Sequence, residues 1–266
     1  MFLFNLFIDK ILQLRHNKFK MERKRFYFEK NLFDGNNITL SGDEFHHMID
    51  VMRIKPNESV VLFCGDGFDY ISTVIEIKKK EAILKVEKIE ENKSEIGFNL
   101  TVFQALAKGE KLSLIAQKLT ELGTTQMLVF SSAYCDVKPS TSRLDKLNKI
   151  VISACKQCGR SVLMTTNEKP LSFNEVTNEI KQFDACYFAY ENENKETLYE
   201  NLCGQKNIKN VAVIIGAEGG FSKEEANILT ENGAISVSLG NRILRTETAA
   251  IYSASVIGAM LEKVQK

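Results

Sequence analysis

Residues 211–225 read Val-Ala-Val-Ile-Ile-Gly-Ala-Glu-Gly-Gly-Phe-Ser-Lys-Glu-Glu, an apolar run that ends in glycines and passes straight into a helix start. An unbroken apolar run of this length is a strand buried on both faces, as in a parallel sheet covered by helices. Gly216, Gly219 and Gly220 permit backbone angles closed to other residues and let a ligand approach the main chain. Ser222 and Glu225 have capping-box spacing. A strand, a glycine loop and a helix N-terminus in that order lie at the carboxyl edge of an α/β sheet, where ligands bind.

The same rhythm surrounds this segment. Strand patterns at Leu100–Ala105, Met127–Phe130, Val162–Thr165, Ala185–Tyr190, Val211–Gly216 and Ile235–Leu239 alternate with helix patterns. Among these are a helix near 110–122 closed by Gly123, and one at 144–158 capped by Ser142 and stopped by Gly159. The fold class expected is α/β, with a mostly parallel sheet covered on both faces.

Residues 25–91 follow another pattern. Val60–Cys64 and Tyr70–Ile77 flank the hairpin signal Gly65-Asp-Gly67, and a third strand pattern runs over Ala82–Ile89. One helix interrupts them, with Ser41 and Glu44 as a capping box and Phe45, Met48, Ile49 and Met52 along one face. A small β-barrel is predicted. The charged stretch Glu90–Glu95 carries no apolar anchor and reads as the linker, giving domains at 21–91 and 96–266. Residues 1–20 fit neither pattern and read as a leader, with Met21 a candidate initiator.

Net charge is +1, so attraction to nucleic acid must come from local patches. Residues 1–30 hold Lys10, Arg15, Lys18, Lys20, Arg23, Lys24, Arg25 and Lys30 against three acids, and residues 138–170 hold seven Lys/Arg against two. The compensating acid lies mostly in 168–200 and reads as a solvated face. The six cysteines are scattered through apolar runs and read as reduced core residues of a cytoplasmic protein. Cys155 and Cys158 have metal-ligand spacing but lie at a helix end without a second Cys or His pair, so packing is preferred to zinc. His46 and His47 face different sides of their helix and are assigned no metal. No apolar run approaches the ~20 residues that span a bilayer, so neither a membrane nor a metal is expected among the partners.

The glycine loop is neither Gly-x-Gly-x-x-Gly nor a phosphate loop, which disfavours a dinucleotide or nucleoside triphosphate. Glu218 repels phosphate and suits a ligand with positive charge or hydroxyls, a description S-adenosylmethionine (SAM) meets better than NAD or ATP. The strand ending at Leu239 leads into a second loop, Gly240-Asn-Arg-Ile-Leu-Arg-Thr-Glu-Thr-Ala249, before a final helix rich in small residues. Ile243 and Leu244 between two arginines either line a pocket for an apolar ring or anchor the loop to the core. Arg245 and Glu247 have the spacing of a simple salt bridge at the helix start.

Gly216-Ala-Glu-Gly-Gly-Phe-Ser222 followed by Leu239-Gly-Asn-Arg-Ile-Leu-Arg-Thr-Glu-Thr-Ala249 strongly resembles the RsmE-type ribosomal RNA uridine N3-methyltransferases of the SPOUT class. His46-His47 with Val51-Met-Arg53, Ala107-Lys-Gly109, Thr120-Glu-Leu-Gly123 and Gln157-Cys-Gly-Arg160 extend the match from about Met21 to the C-terminus. The resemblance implies a PUA-like RNA-binding barrel, then a SPOUT domain whose chain forms a deep trefoil knot. It implies SAM bound by Phe188, Ala189, Tyr190, Gly216, Ala217, Glu218, Gly219, Gly220, Phe221, Leu239, Gly240, Ile243, Leu244 and Thr248. It also implies a homodimer acting on 16S rRNA or the small ribosomal subunit, with RNA contacts from Arg23, Lys24, Arg25, Arg53, Lys108, Gln157 and Arg160. Cys155 and Cys158 stand where small residues are usual in that family.

Methylation at uracil N3 requires loss of a proton, and the resulting anion needs compensating positive charge. Arg245 is the first candidate for that role and Arg160 the second. Two rival classes are a non-catalytic RNA-binding protein, separated by titration with SAM, and a dehydrogenase of the dinucleotide-binding type, against which the loop chemistry argues.

Overall fold

The computed structural model describes residues 24–135, 141–191, 196–205 and 207–262. The expected leader, Arg23 and the proposed Ser142 cap fall outside the described residues and side chains. The chain divides into two units, one ending at Asn92 and the other beginning at Lys93.

The first unit contains β1 (Arg25–Tyr27), β2 (Asn37–Ser41), β3 (Ser59–Phe63), β4 (Phe68–Ile77) and β5 (Glu81–Glu91), in the spatial order β1-β3-β4-β5-β2. The small barrel expected takes the form of a curled half-barrel. Among the described residues, β1 is three residues long and pairs only with β3, while β2 pairs only with β5. Alternate residues of these strands, among them Phe26, Phe28, Ile38, Leu40, Val60, Leu62, Val74 and Leu84, form the core. Gly65 and Gly67 take φ of 90° and 88°, the left-handed angles the hairpin turn requires.

Helix α1 (Gly42–His46) continues as a wider π turn over His47–Val51. Phe45 and Met48 are buried as the spacing predicts, but the capping box does not form. Ser41 is paired to Glu81 as the last residue of β2, and Glu44 Oε2 instead accepts from the Tyr27 amide at 3.2 Å.

Two of the basic residues expected at RNA have partners inside this unit. Lys24 donates to Met52 O at 2.7 Å. Arg25 is forked onto Asp69 at 2.9 and 3.1 Å, with its guanidinium 5.3 Å from the centre of the Phe63 ring. Both charges are held within the unit, because β1 places them beside the 52–53 corner and β4. Arg53 is exposed at φ 53°.

The second unit is a six-stranded sheet of β6 (Asn99–Ala105), β7 (Gln126–Phe130), β8 (Thr165–Thr166), β9 (Ala185–Ala189), β10 (Asn210–Ile215) and β11 (Ile235–Val237). Every pairing between these strands is parallel, in the order β11-β9-β10-β6-β7-β8. β10 is made after both of its neighbours and inserts between them, which explains its unbroken apolar sequence. The helices are α2 (Lys111–Glu121), α3 (Thr141–Cys158), α4 (Phe173–Glu179), α5 (Leu198–Leu202), α6 (Lys223–Glu231) and α7 (Thr246–Leu261). Residues of α4 and α6 share one buried cluster with Phe103, Phe188 and Ile214, while α7 lies against β6 and β10 and packs on α2. The strand predicted at Val162–Thr165 shrinks to Thr165–Thr166. Before it, Arg160 is buried and the Cys155 thiol donates to Val162 O at 3.5 Å, so this stretch is tied to α3.

Candidate functional site

The carboxyl ends of β9, β10 and β11 open onto a cavity of about 550 Å³. The glycine loop forms one wall. Its 217–220 turn closes with the Gly220 amide donating to Ala217 O at 3.1 Å, and Gly220 sits at φ 68°. A methyl group on Gly216 would come within 3.1–3.2 Å of Gly220 main-chain atoms, so strand end and turn press directly together. The loop is pinned below by Ser222 and Glu225, whose capping box is complete. Glu225 N donates to Ser222 Oγ at 3.1 Å, Ser222 N donates to Glu225 Oε2 at 3.0 Å, and the second carboxylate oxygen accepts from Ala133 N at 2.7 Å.

The second loop, 238–245, forms the facing wall. Gly240 turns at φ 107°, and Leu239, Ile243, Leu244 and Arg245 line the cavity. Arg245 is the N-cap residue of α7 and its side chain is exposed. Residues 196–198 run beside Ser238, with Ser238 N donating to Glu196 O at 2.9 Å and Leu198 N donating to Ser238 O at 3.0 Å. That pairing brings Glu196 and Thr197 to the rim.

Ala189, Tyr190, Gly216, Ala217, Glu218, Gly220, Phe221, Leu239, Gly240, Ile243, Leu244 and Arg245 thus converge on one space. Three sequence-predicted residues do not line it. Phe188 is buried in the core against Phe221, ring centres 6.0 Å apart, because successive strand residues alternate sides. Gly219 backs onto Tyr134, where an added methyl would stand 2.9 Å from Cβ. Thr248 is exposed on α7, two residues beyond Thr246, which does line the cavity.

Lys111, at the start of α2, was not foreseen in this site. Its ammonium lies 2.7 Å from Glu218 Oε1 and 3.6 Å from Glu247 Oε2, and Lys108 N donates to Glu218 Oε1 at 3.0 Å. Burial opposes ionisation of Glu218, but the Lys111 and Lys108 bonds outweigh it and hold the carboxyl below the ordinary range. Glu218 and Glu247 raise Lys111 in turn. The Glu218 charge is therefore shared with Lys111 rather than offered alone to a ligand, and Glu247 faces Lys111 instead of forming the simple pair with Arg245. No local spacing in the sequence signals Lys111. Thr197 had a signal in its capping-box spacing with Glu200, a box that forms.

Arg160 requires a correction. It is 2% exposed, with two guanidinium nitrogens on Glu95 at 2.7 and 2.9 Å and the third donating to Thr120 O and Thr124 O at 2.9 and 3.0 Å. A guanidinium so enclosed braces its own unit. Gln157 and Lys108 are exposed. Among the described residues, no group of three metal-ligating side chains occurs, and no helix is long and apolar enough to cross a membrane.

Residues 94–258 match the family model described as the RNA methyltransferase domain, and residues 40–87 match the RNA methyltransferase PUA domain. The ribosomal RNA small subunit methyltransferase E of Buchnera aphidicola from Schizaphis graminum is 30% identical over 88% of this chain and 94% of its own. A putative methyltransferase of Legionella pneumophila, solved with bound SAM, superposes with a TM-score of 0.80 at 30% identity, covering 89% of this chain and 97% of that one. The ribosomal RNA small subunit methyltransferase E of Neisseria gonorrhoeae, also solved with SAM, gives 0.81 at 26% identity over 91% and 100%.

Proposed function

Because the chain belongs to the RNA methyltransferases of the small-subunit methyltransferase E type, we propose that it uses SAM to methylate N3 of a uridine in 16S ribosomal RNA. The observation that carries this reading is the convergence of two loops, one of exposed backbone and one of apolar side chains beside Arg245, on one cavity at the sheet's carboxyl edge. Its volume of about 550 Å³ suits a ligand of SAM's size. Gly216, Ala217, Gly220 and Gly240 would hold the polar parts of SAM through the main chain, and Tyr190, Leu239, Ile243 and Leu244 would hold the adenine.

When bound, SAM supplies a methyl group activated on a sulfonium. The chain's own residues supply position and charge. Arg245, exposed on the loop that lines the cavity, stabilises the deprotonated uracil or orients the base. Arg53, Lys108 and Gln157, all exposed, contribute RNA contacts.

The active form is a homodimer whose RNA groove draws on both copies. In one copy Ile243 is 85% exposed, and the outward face of α7 carries the uncharged Thr248, Tyr252 and Ala259. Domains at 21–91 and 96–266 divide the work, the first binding RNA and the second transferring the methyl group. Cysteines outside disulfides fit a reducing compartment, the cytoplasm.

Mapping methylated uridines in ribosomal RNA from cells with and without the protein tests the assignment. Loss of N3-methyluridine at one 16S position, restored by re-expression, is the expected result. An unchanged map overturns it, and a lost mark in another RNA would redirect the substrate.

A further inference from the structure

Behind the cavity, one hydroxyl is shared between two neighbouring strand ends. Gln104, near the end of β6, is fully buried, and its Nε2 donates to Ala105 O and to Thr246 Oγ1, both at 2.9 Å. Thr246 Oγ1 in turn donates to Gly216 O at 2.7 Å. The polarity is forced. A carbonyl only accepts, so the single Thr246 proton goes to Gly216 and the oxygen can accept only from an N–H. Turning the Gln104 amide over would set its oxygen against Ala105 O and against a hydroxyl whose proton is already used. The amide is thereby locked with Oε1 buried and without a hydrogen-bond partner among the described residues. An unsatisfied buried acceptor is destabilising, a cost that stability alone does not explain.

We infer that Gln104 and Thr246 are positioning residues that latch the glycine loop to the start of α7 and so set the width of the cofactor cavity. Gly216 begins one wall, and Thr246 follows directly on Arg245 of the other. The Gln104–Thr246–Gly216 chain is the hydrogen-bonded link between them, and it runs through β6, which contributes no residue to the cavity lining. Without it, the walls keep the packing of α7 on β10 and the partly exposed charges of Lys111, Glu218 and Glu247, neither of which fixes the Gly216 carbonyl. The inference rests on the proposed SAM site and names what holds that site in shape.

The test is calorimetric binding of S-adenosylhomocysteine to the full chain. Binding by the parent protein is measured first, and its absence sinks the SAM reading itself. Thr246→Val, which keeps the shape and removes the hydroxyl, is expected to weaken binding about tenfold or more, an effect of 1.4 kcal/mol or above. Thr246→Ser is expected to restore parent affinity. In turnover, Thr246→Val raises KM for SAM while leaving kcat within about threefold, the mark of lost positioning in the ground state rather than a lost transition-state contact. Gln104→Leu alone and combined with Thr246→Val should weaken binding to the same extent, because both break one chain. Parent binding intact and Thr246→Val binding equally tightly would overturn the latch. So would additive losses in the double variant. If Thr246→Val fails to fold, Gln104→Met, which removes the donor with little change in volume, carries the same measurement.

Discussion

Lys111 Nζ and Glu218 Oε1 meet at 2.7 Å across the mouth of the cavity, joining the start of α2 to the glycine loop, with Glu247 3.6 Å from the same ammonium. Lys111→Met removes the cation and leaves two carboxylates facing one ligand space. The expected outcome is a fall of about tenfold in S-adenosylhomocysteine affinity by calorimetry, with only a small change in denaturation midpoint because the pair is partly exposed. Adding Glu218→Gln should recover part of the affinity. Losses that simply add would show that the two residues do not work together.

The pair also sets a pH signature. Glu218 is depressed, so its contribution is complete above the ordinary carboxylate range and is lost only as pH falls through the depressed value. Lys111 is raised, so its contribution is complete below the ordinary lysine range and is lost only as pH rises through the raised value. S-adenosylhomocysteine affinity of the parent protein should therefore be flat from about pH 6 to pH 9 as far as this pair is concerned. Lys111→Met should leave that plateau flat but lower. A parent midpoint inside the window that disappears in Lys111→Met would refute this assignment.

Arg245 and Arg160 looked alike in the sequence and separate in the structure. Arg245→Ala is expected to leave S-adenosylhomocysteine affinity within about twofold while reducing methyl transfer, at saturating SAM and RNA, by about a hundredfold. Unchanged transfer under those conditions removes Arg245 from the mechanism. Single-turnover assays separate this from weakened RNA binding, since saturation recovers the rate only in the latter case.

Arg160→Met tests the opposite role. The substitution strands Thr124 O in a buried setting, leaves Thr120 O with only its main-chain donors such as Gly123 N, and leaves Glu95 without its cation. Stability should fall by about 2–4 kcal/mol, read from urea denaturation, with S-adenosylhomocysteine affinity of the remaining folded protein unchanged. A variant that is as stable as the parent but has lost RNA binding would return Arg160 to the interface.

The contrast between these arginines shows what the sequence could and could not reveal. The glycine loop was legible because its determinants are local: an apolar strand, three glycines, and Ser222 three residues before Glu225. Ser41 and Glu44 have the same spacing, yet their box is absent because β2 claims Ser41 and the Tyr27 amide claims Glu44. Arg160 depends on Glu95, 65 residues away, a contact only the folded unit defines. Helix phase decided between Thr246 and Thr248, and that phase depends on where α7 begins. Lys111 reads as one more lysine at a helix start until β6 and β10, adjacent in the sheet, bring it to Glu218.

Gly216 gives the sharpest steric test of the glycine loop. Its φ lies outside the left-handed region that favours glycine, so the close contact is the main obstacle to an alanine there. The new methyl would stand 3.1 Å from Gly220 C and 3.2 Å from Gly220 O. Because the clashing atoms are main chain, relief requires the 217–220 turn to shift by a few tenths of an ångström. That moves the surface proposed to hold SAM. Gly216→Ala should therefore lose about tenfold or more in S-adenosylhomocysteine affinity while unfolding within about 2 kcal/mol of the parent. Gly97→Ala, where an added methyl meets nothing within 4 Å, is the matched control and should bind as the parent does. If Gly216→Ala binds normally, the turn tolerates displacement and the main-chain cradle is not what recognises the ligand.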